Sequence, residues 1–252
     1  MSSLNSQKVK LQGIGNVIGV ISGKGGVGKT FVAANLALVL AKLGYKVGVL
    51  DADISCPNIF KLFGVNSKLT LTADNKIIPA EKYGIKIVSM AGLCATEDEA
   101  VVWRGPILSK IIQQMLKESQ WGQLDVLIVD FPTGTSDASI TILQNFFVDG
   151  LVVVSTPQEL ATLDARRAMN AAALLKVPVI GVLENMRGEV FGEGTVSKLA
   201  ERFRVPFLGS IPMRKQIVGF CDQGTPAVAH SEEIEMIFSR IARFITDKVM
   251  VE

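Results

Sequence analysis

Cysteine and histidine are scarce in this chain. Cys56, Cys94 and Cys221 lie far apart with no C-x-x-C spacing, and His230 is the one histidine. That argues against a disulfide framework and against a metal centre made from the Cys and His of one chain, and it points to the reducing cytoplasm. An excess of charge is missing too. Lys and Arg number 26 against 24 Asp and Glu, a formal net charge of +2 over 252 residues. So balanced a chain offers no electrostatic footprint for nucleic acid, and no nucleic-acid partner is expected. Long hydrophobic runs are absent despite a mean hydropathy of +0.37. Lys42 closes the apolar stretch 36–41, and Lys176 with Pro178 interrupt the one before 179–183. Neither approaches the run of about 18 apolar residues that spans a bilayer. Residues 1–16 carry Lys8 and Lys10 but no apolar h-region, so they read as a flexible polar lead-in rather than a secretory signal.

What is present is an alternation of short apolar runs with longer segments of helical period. That is the pattern of an α/β protein with a doubly wound, mostly parallel sheet and helices on both faces. Strands are expected over 17–21, 47–50, 85–90, 126–130, 151–155, 179–183 and 207–211. Val126-Leu127-Ile128-Val129 and Leu151-Val152-Val153-Val154 do not alternate, as suits strands buried on both faces. Helices are expected over 29–43, 107–118, 136–147, 160–175, 195–203 and 232–248, and a hairpin turning at Asp74-Asn75 within the irregular stretch 66–83. No linker or repeat divides the sequence, which reads as one domain over 1–252.

After the first strand comes Gly23-Lys24-Gly25-Gly26-Val27-Gly28-Lys29-Thr30, a full G-x-x-x-x-G-K-[ST] phosphate loop between strand and helix. Glycines let successive N–H groups turn toward phosphate oxygens. Lys29 supplies charge at the β- and γ-phosphates, and the Thr30 hydroxyl reaches Mg²⁺. With Phe31, the next residue of the helix, these make the expected nucleotide-binding set, at the positive end of the helix dipole. No N-K-x-D tetrapeptide stands ready to read guanine, so the cofactor expected is MgATP.

Three acidic residues sit where ligands of an open sheet gather, beyond strand C-termini. Asp51 and Asp53 follow the second strand, and Asp130 ends the apolar run 126–129, where a Walker B carboxylate holds Mg²⁺ through water. Thr30 and Asp130 are thus expected at the metal. Pro132, Thr133 and Gly134 open a segment that looks like switch II, in which glycine lets the chain reorganise when the γ-phosphate leaves.

Lys24, early in the loop beside Lys29, gives the chain a resemblance to the deviant Walker A subclass of P-loop ATPases, which includes MinD, ParA and the Mrp/ApbC carriers. Further strings narrow it. Asp51-Ala52-Asp53-Ile54, Trp103-Arg104-Gly105-Pro106, Trp121-Gly122-Gln123-Leu124-Asp125 and Asp130-Phe131-Pro132-Thr133-Gly134-Thr135 are similar to the Mrp/ApbC branch. So are Thr156-Pro157-Gln158, Asp164-Ala165-Arg166-Arg167, Glu184-Asn185-Met186 and Phe191-Gly192-Glu193-Gly194, and the match spans about 17–229. The resemblance implies a homodimer that hydrolyses ATP slowly and carries or assembles iron–sulfur clusters. It implies catalytic roles for Lys24, Lys29 and Asp53: Lys24 reaching the partner's nucleotide, and Asp53 positioning the attacking water and joining Thr30 and Asp130 in the metal set. Asp51 would hold the magnesium shell or the loop. It places Asn185 on the adenine and the segment from Pro212 on its other side.

One departure carries weight. The family inserts C-P-x-C after Glu-Asn-Met; here Met186-Arg187-Gly188-Glu189-Val190-Phe191-Gly192 contains no cysteine. No iron–sulfur ligands are assigned, and no stable cluster is expected on the homodimer, because clusters are held by four thiolates. Cys56 reads as a small buried residue, Cys94 and Cys221 as core or loop. A cysteine-bearing relative or an iron–sulfur acceptor protein is then the expected partner. Two other functions stay open: a MinD/ParA-like dimerisation switch recruiting a protein, membrane or DNA, and a nucleotide-gated scaffold. The last helix carries Ile234, Ile237, Phe238, Ile241 and Ile245 on one stripe, which means core packing. Only 248–252 remain beyond it, too short for an amphipathic anchor, and no membrane partner is expected.

Overall fold

Burial on both faces dictates the centre of the molecule. The computed structural model describes residues 8–94, 105–134 and 136–250. The strand β1 (Ile14–Ser22) leads into the helix α1 (Lys29–Lys42), and β2 (Val47–Asp51) into a short α2 (Ile59–Phe63). The hairpin β3 (Thr70–Leu71) and β4 (Ile77–Ile78) precedes β5 (Ala80–Lys82), β6 (Ile85–Val88) and α3 (Gly105–Glu118). Then come β7 (Leu124–Thr133), α4 (Asp137–Asn145), β8 (Gly150–Ser155), α5 (Glu159–Leu174), β9 (Val179–Arg187) and α6 (Thr195–Phe203). The chain closes with β10 (Phe207–Pro212), α7 (Lys215–Asp222) and α8 (Glu232–Val249).

Eight strands form one sheet in the order β10-β9-β8-β1-β7-β2-β6-β5, parallel except for the antiparallel edge pair β5–β6. The doubly wound expectation holds. β1 sits inside the sheet, with β8, β9 and β10 following outward on one side and β7, β2, β6 and β5 on the other, so the chain leaves its C-terminal end toward both sides, at the crevice where open sheets bind ligands. α1 is buried nearly all round, from Phe31 to Leu40, as suits a helix inside the core rather than on its surface. Its buried Asn35 spends both ends of its amide, donating to Phe31 O (2.8 Å) and accepting from Val228 N (2.9 Å). The α8 stripe packs inward as expected, with Ile234, Phe238, Ile241 and Ile245 buried and Ile237 partly so.

Several expectations shift. The lead-in is not free over its second half: Val9 N–H donates to Asn145 O at 2.8 Å, Lys8 Nζ to Leu175 O at 3.1 Å, and Leu11 is buried. β1 begins at Ile14, where pairing with Leu124 of β7 starts the ladder. The 66–83 hairpin forms with its turn as expected, Asn75 taking φ +60°. The helices α2 and α7 were not expected. Each is short, and each is followed within two residues by a left-handed glycine, Gly64 or Gly224. Trp103, Arg104 and Thr135 lie outside the described residues.

Candidate nucleotide-binding site

The phosphate loop bends where its glycines permit. Gly26 and Gly28 take φ of +80° and +84°, which L side chains rarely adopt. Gly23 is required for a different reason. A Cβ there would stand 2.0 Å from the Asp164 carbonyl carbon, so the loop lies directly on the α5 backbone. A Cβ on Gly28 would meet the Asn185 amide nitrogen at 2.1 Å. Val27 is buried, and its carbonyl accepts from Asn185 Nδ2 at 2.8 Å. The loop thus closes as a cradle over the first turn of α1, whose N–H groups have no helical partner and face the anion position.

Lys29 is buried and donates to Asp130 Oδ1 at 2.7 Å, with a longer contact to Thr30 Oγ1 at 3.4 Å. The expected lysine, hydroxyl and Walker B carboxylate therefore meet. Asp130 is wholly buried, and its Oδ2 has no hydrogen-bond partner. Burial pushes the Asp130 carboxyl up, while the Lys29 ammonium and the Thr30 hydroxyl pull against it. An orphaned buried carboxylate oxygen is costly, by about 1–3 kcal/mol or more for a charged group. A hydrated Mg²⁺ arriving with the nucleotide fits that oxygen and the adjacent Thr30 hydroxyl.

Asp51 and Asp130 are register partners on β2 and β7. Burial, then the Asp130 charge, raises the Asp51 pKa to about 7. Asp53, half-buried just past β2, is also raised by burial, with the Lys29 charge opposing. Asp53 thus belongs to the same electrostatic cluster as Lys29.

Lys24 is half-buried, and its Nζ donates to Gln158 Oε1 at 3.3 Å; the Thr156 hydroxyl donates to the same oxygen at 3.3 Å. Gln158 was not expected to matter; its one signal was its place in the Thr156-Pro157-Gln158 string. Pro132 and Thr133 end β7, still on the ladder, with Thr133 opposite Ser22. Gly134 N–H donates to Ser22 O at 2.7 Å, and a Cβ on Gly134 would meet Ala168 Cβ at 2.7 Å. This segment is docked against α5.

One expectation needs correcting, and another is narrowed. The Phe31 ring packs edge-on to Phe238, centroids 6.0 Å apart, which leaves its main chain as the part that can meet a nucleotide. Cys56 is exposed rather than buried, because the turn closed by Cys56 N–H on Asp53 O (3.1 Å) carries it outward. Asn185 and Pro212 do fall at one end of the crevice, on adjacent strands β9 and β10. Beside them Arg187, Gly188, Glu189, Val190, Met213 and Arg214 help line a cleft of about 790 Å³. Asn185 spends its amide on the phosphate loop, so here it shapes the cradle. Glu184, its neighbour, accepts from Gly194 N (2.9 Å) and Val196 N (3.3 Å), anchoring the start of α6.

With this geometry in place, the comparisons are specific. The ParA-type family described as NUBPL iron-transfer P-loop NTPase matches residues 13–249. The chain belongs to this family. Among its relatives, a protein of Aquifex aeolicus named iron–sulfur cluster carrier protein is 41% identical over 253 residues, covering 95% of this chain and 70% of that one. One of the same name from Pyrococcus furiosus is 39% identical, over 92% and 86%. A solved nucleotide-binding protein from Archaeoglobus fulgidus in complex with ADP aligns at TM-score 0.72 and 37% identity, over 84% of this chain and 87% of that one. The cell-division ATPase MinD of Pyrococcus furiosus reaches TM-score 0.72 at 21% identity, over 93% and 99%, a likeness of fold. Among the described residues no helix is long and apolar enough to cross a membrane.

Proposed function

We propose that this chain is a MgATP-dependent homodimeric ATPase of the cytoplasm that hydrolyses slowly and serves iron–sulfur cluster assembly or carriage. The observation that carries the reading is the buried Lys29–Asp130 pair with its orphaned Oδ2, set under a complete phosphate loop. Lys29 has two acceptors to choose between. Without nucleotide it neutralises Asp130, and with nucleotide its ammonium turns to the β/γ-phosphate oxygens. Thr30, Asp53 and Asp130 would hold Mg²⁺, which supplies neutralisation of phosphate charge. The N–H groups of 25–31 orient the triphosphate, and Asp53 accepts a hydrogen bond from the water that attacks it. Lys24 leaves Gln158 and crosses to the partner's nucleotide. Adenine lies at the Asn185–Pro212 end.

Cluster handling follows from the relatives' names rather than from thiolates on this chain. Cys56 is exposed, Cys221 is half-buried and Cys94 is buried; among the described residues no Cys, His, Asp and Glu gather three together as a metal site. Two Cys56 thiolates per dimer leave half of a four-thiolate set empty. The cluster is therefore treated as cargo shared with a cysteine-bearing relative or an acceptor protein. The test is anaerobic reconstitution of the purified dimer, alone and with an apo-acceptor, counting iron and sulfide after desalting. Wild type is expected to bind MgATP yet hold no stable [4Fe–4S] cluster alone. A stoichiometric cluster surviving desalting overturns the sharing, and no effect of MgATP on delivery to any acceptor overturns the cluster role itself.

A further inference from the structure

The phosphate chemistry leaves one buried polar constellation without a task. Asp51, the last residue of β2, is wholly buried, and its two oxygens meet three protein donors. Oδ1 accepts the Asp53 N–H at 3.2 Å; Oδ2 accepts the Ile59 N–H at 3.0 Å and the Ser89 hydroxyl at 2.9 Å. Asp53 and Ile59 are the two ends of the segment that leaves β2 and enters α2. One carboxylate thus grips this loop at both ends. Ser89, also wholly buried, follows β6 and accepts the Ala91 N–H at 3.3 Å while donating to Asp51. The Asp51 carboxylate is thereby fixed from a second strand.

Between those ends Ile54 is buried and the Cys56 N–H closes a turn on Asp53 O, but the rest of the loop faces outward. Ser55, Cys56 and Asn58 are exposed, and Asn58 enters α2 with no side-chain cap bond. Asp53 rides on this segment. Asp130, in register on the next strand, is the opposite case, with one oxygen left open. The contrast separates their tasks: Asp130 has an oxygen to offer a ligand, whereas the Asp51 oxygens both serve the backbone.

We propose that Asp51 and Ser89 are a positioning pair for this loop, setting where the Asp53 carboxylate stands for hydrolysis without touching nucleotide, an inference that rests on the ATPase reading above. Buried networks of this kind hold geometry because every partner polarises the next. Asp51→Asn turns one acceptor into a donor facing donors, and Ser89→Ala removes the cross-strand tie.

Two measurements test it on the full chain. Hydrogen exchange without nucleotide is expected to run about tenfold faster at the Asp53 and Ile59 amides in Asp51→Asn, the change that losing roughly one hydrogen bond brings. Steady-state hydrolysis is expected to lose about tenfold or more in kcat, as misplacing a reacting group does. Affinity for the non-hydrolysable analogue AMP-PNP with Mg²⁺ should stay within about threefold, since the triphosphate cradle is untouched. Ser89→Ala, the smaller change, should move both readings the same way, and it carries the test if Asp51→Asn does not fold. Unchanged exchange in both variants overturns the latch. Faster exchange with unchanged kcat overturns its link to hydrolysis. A parallel loss of kcat and of AMP-PNP affinity assigns the pair a general structural role and overturns positioning. A wild type that turns over no ATP sinks the ATPase reading instead, and the exchange data still decide the latch.

Discussion

The crevice at the C-terminal edge of the sheet is built differently at its two ends. At the phosphate end nearly every residue is backed by another: Gly23 by the α5 backbone, Gly28 by Asn185, Gly134 by Ala168, Lys29 by Asp130. At the Pro212 end the chain leaving β9 makes a turn in which Gly188 and Gly192 exchange hydrogen bonds of 3.2 and 2.7 Å. Val190 there is 78% exposed and Met213 47%, and a Cβ on Gly192 would meet nothing within 4 Å. The phosphate end has its shape before any ligand arrives. The other end has room to take its shape from what it meets, and it is also where the family's cysteine element is missing.

The sharpest way to break this comparison is at Lys29. Lys29→Ala should lower MgATP affinity on the order of a hundredfold or more, by removing a charge-assisted phosphate contact. A motif alone would suggest no harm to the fold, but burial of the ion pair changes that. Stripping one partner of a buried pair costs about 3–5 kcal/mol. Asp130 can soften the loss by taking up a proton, as its raised pKa already favours. Calorimetric titration and urea unfolding give the two numbers. Wild-type affinity in the variant would remove the phosphate loop from the nucleotide site.

Lys24 is the exception at the phosphate end, half-buried and held by one 3.3 Å contact to Gln158. Lys24→Ala should leave MgATP binding near wild type and lower hydrolysis by up to about 10³, the lower range for a cation acting across an interface. Mixing Lys24→Ala with Lys29→Ala protein gives mixed dimers with one site damaged twice and one intact. Recovery of activity on mixing supports action across the interface. Proven mixed dimers without recovery would keep Lys24 in its own subunit.

Paired glycines test the packing contrast directly. Gly23→Ala drives a methyl into the α5 backbone and should cost about 1–3 kcal/mol or more, the range for overpacking. Gly188→Ala has open space, with Met213 Cβ at 3.9 Å, and should stay within about 0.5 kcal/mol. Equal losses in thermal unfolding would mean the two ends are equally constrained.

The same contrast explains what the sequence made legible. The phosphate loop, Asp130 and the seven expected strands are local signals: a contiguous motif, or a run of apolar residues whose partners need not be known. Contacts formed by folding were hidden. Gln158 meets Lys24 across 134 residues, Asn185 meets Val27 across 158, and Ser89 meets Asp51 across 38. No composition or period marks such pairs. The helix α2 escaped notice because five residues carry little periodic signal, and α7 because its segment was assigned to adenine. Phe31 was grouped with the nucleotide by adjacency, although a helix turns successive side chains about 100° apart and this one turns into the core. Cys56 failed for a related reason: small and apolar predicts burial only until a tight turn places the residue outside.

The smallest effect expected, and the one that reads the phosphate end without mutation, is that of pH. Burial raises Asp130, Asp53 and Asp51, the last from 3.8 to about 7. In the nucleotide-free chain these carboxyls hold protons at pH values where the unfolded chain has released them. Their contribution to stability is therefore full below about pH 4, where the unfolded carboxyls are protonated too, and is lost as pH rises through each raised pKa, which for Asp51 is about 7. Bound Mg²⁺ favours the ionised forms, so MgATP binding should expel protons, and affinity should fall as pH drops through about 7. One proton released sets a ceiling of about tenfold per pH unit, and partial ionisation brings the change between pH 8 and 6 to about three- to tenfold. Titration calorimetry in buffers of different ionisation enthalpy counts the protons, and the count should shrink in Asp51→Asn if Asp51 supplies part of it. Affinity that is flat over this range, with no proton released, would mean that Lys29 alone keeps these carboxylates ionised. The phosphate end would then be fixed by charge as fully as it is by packing.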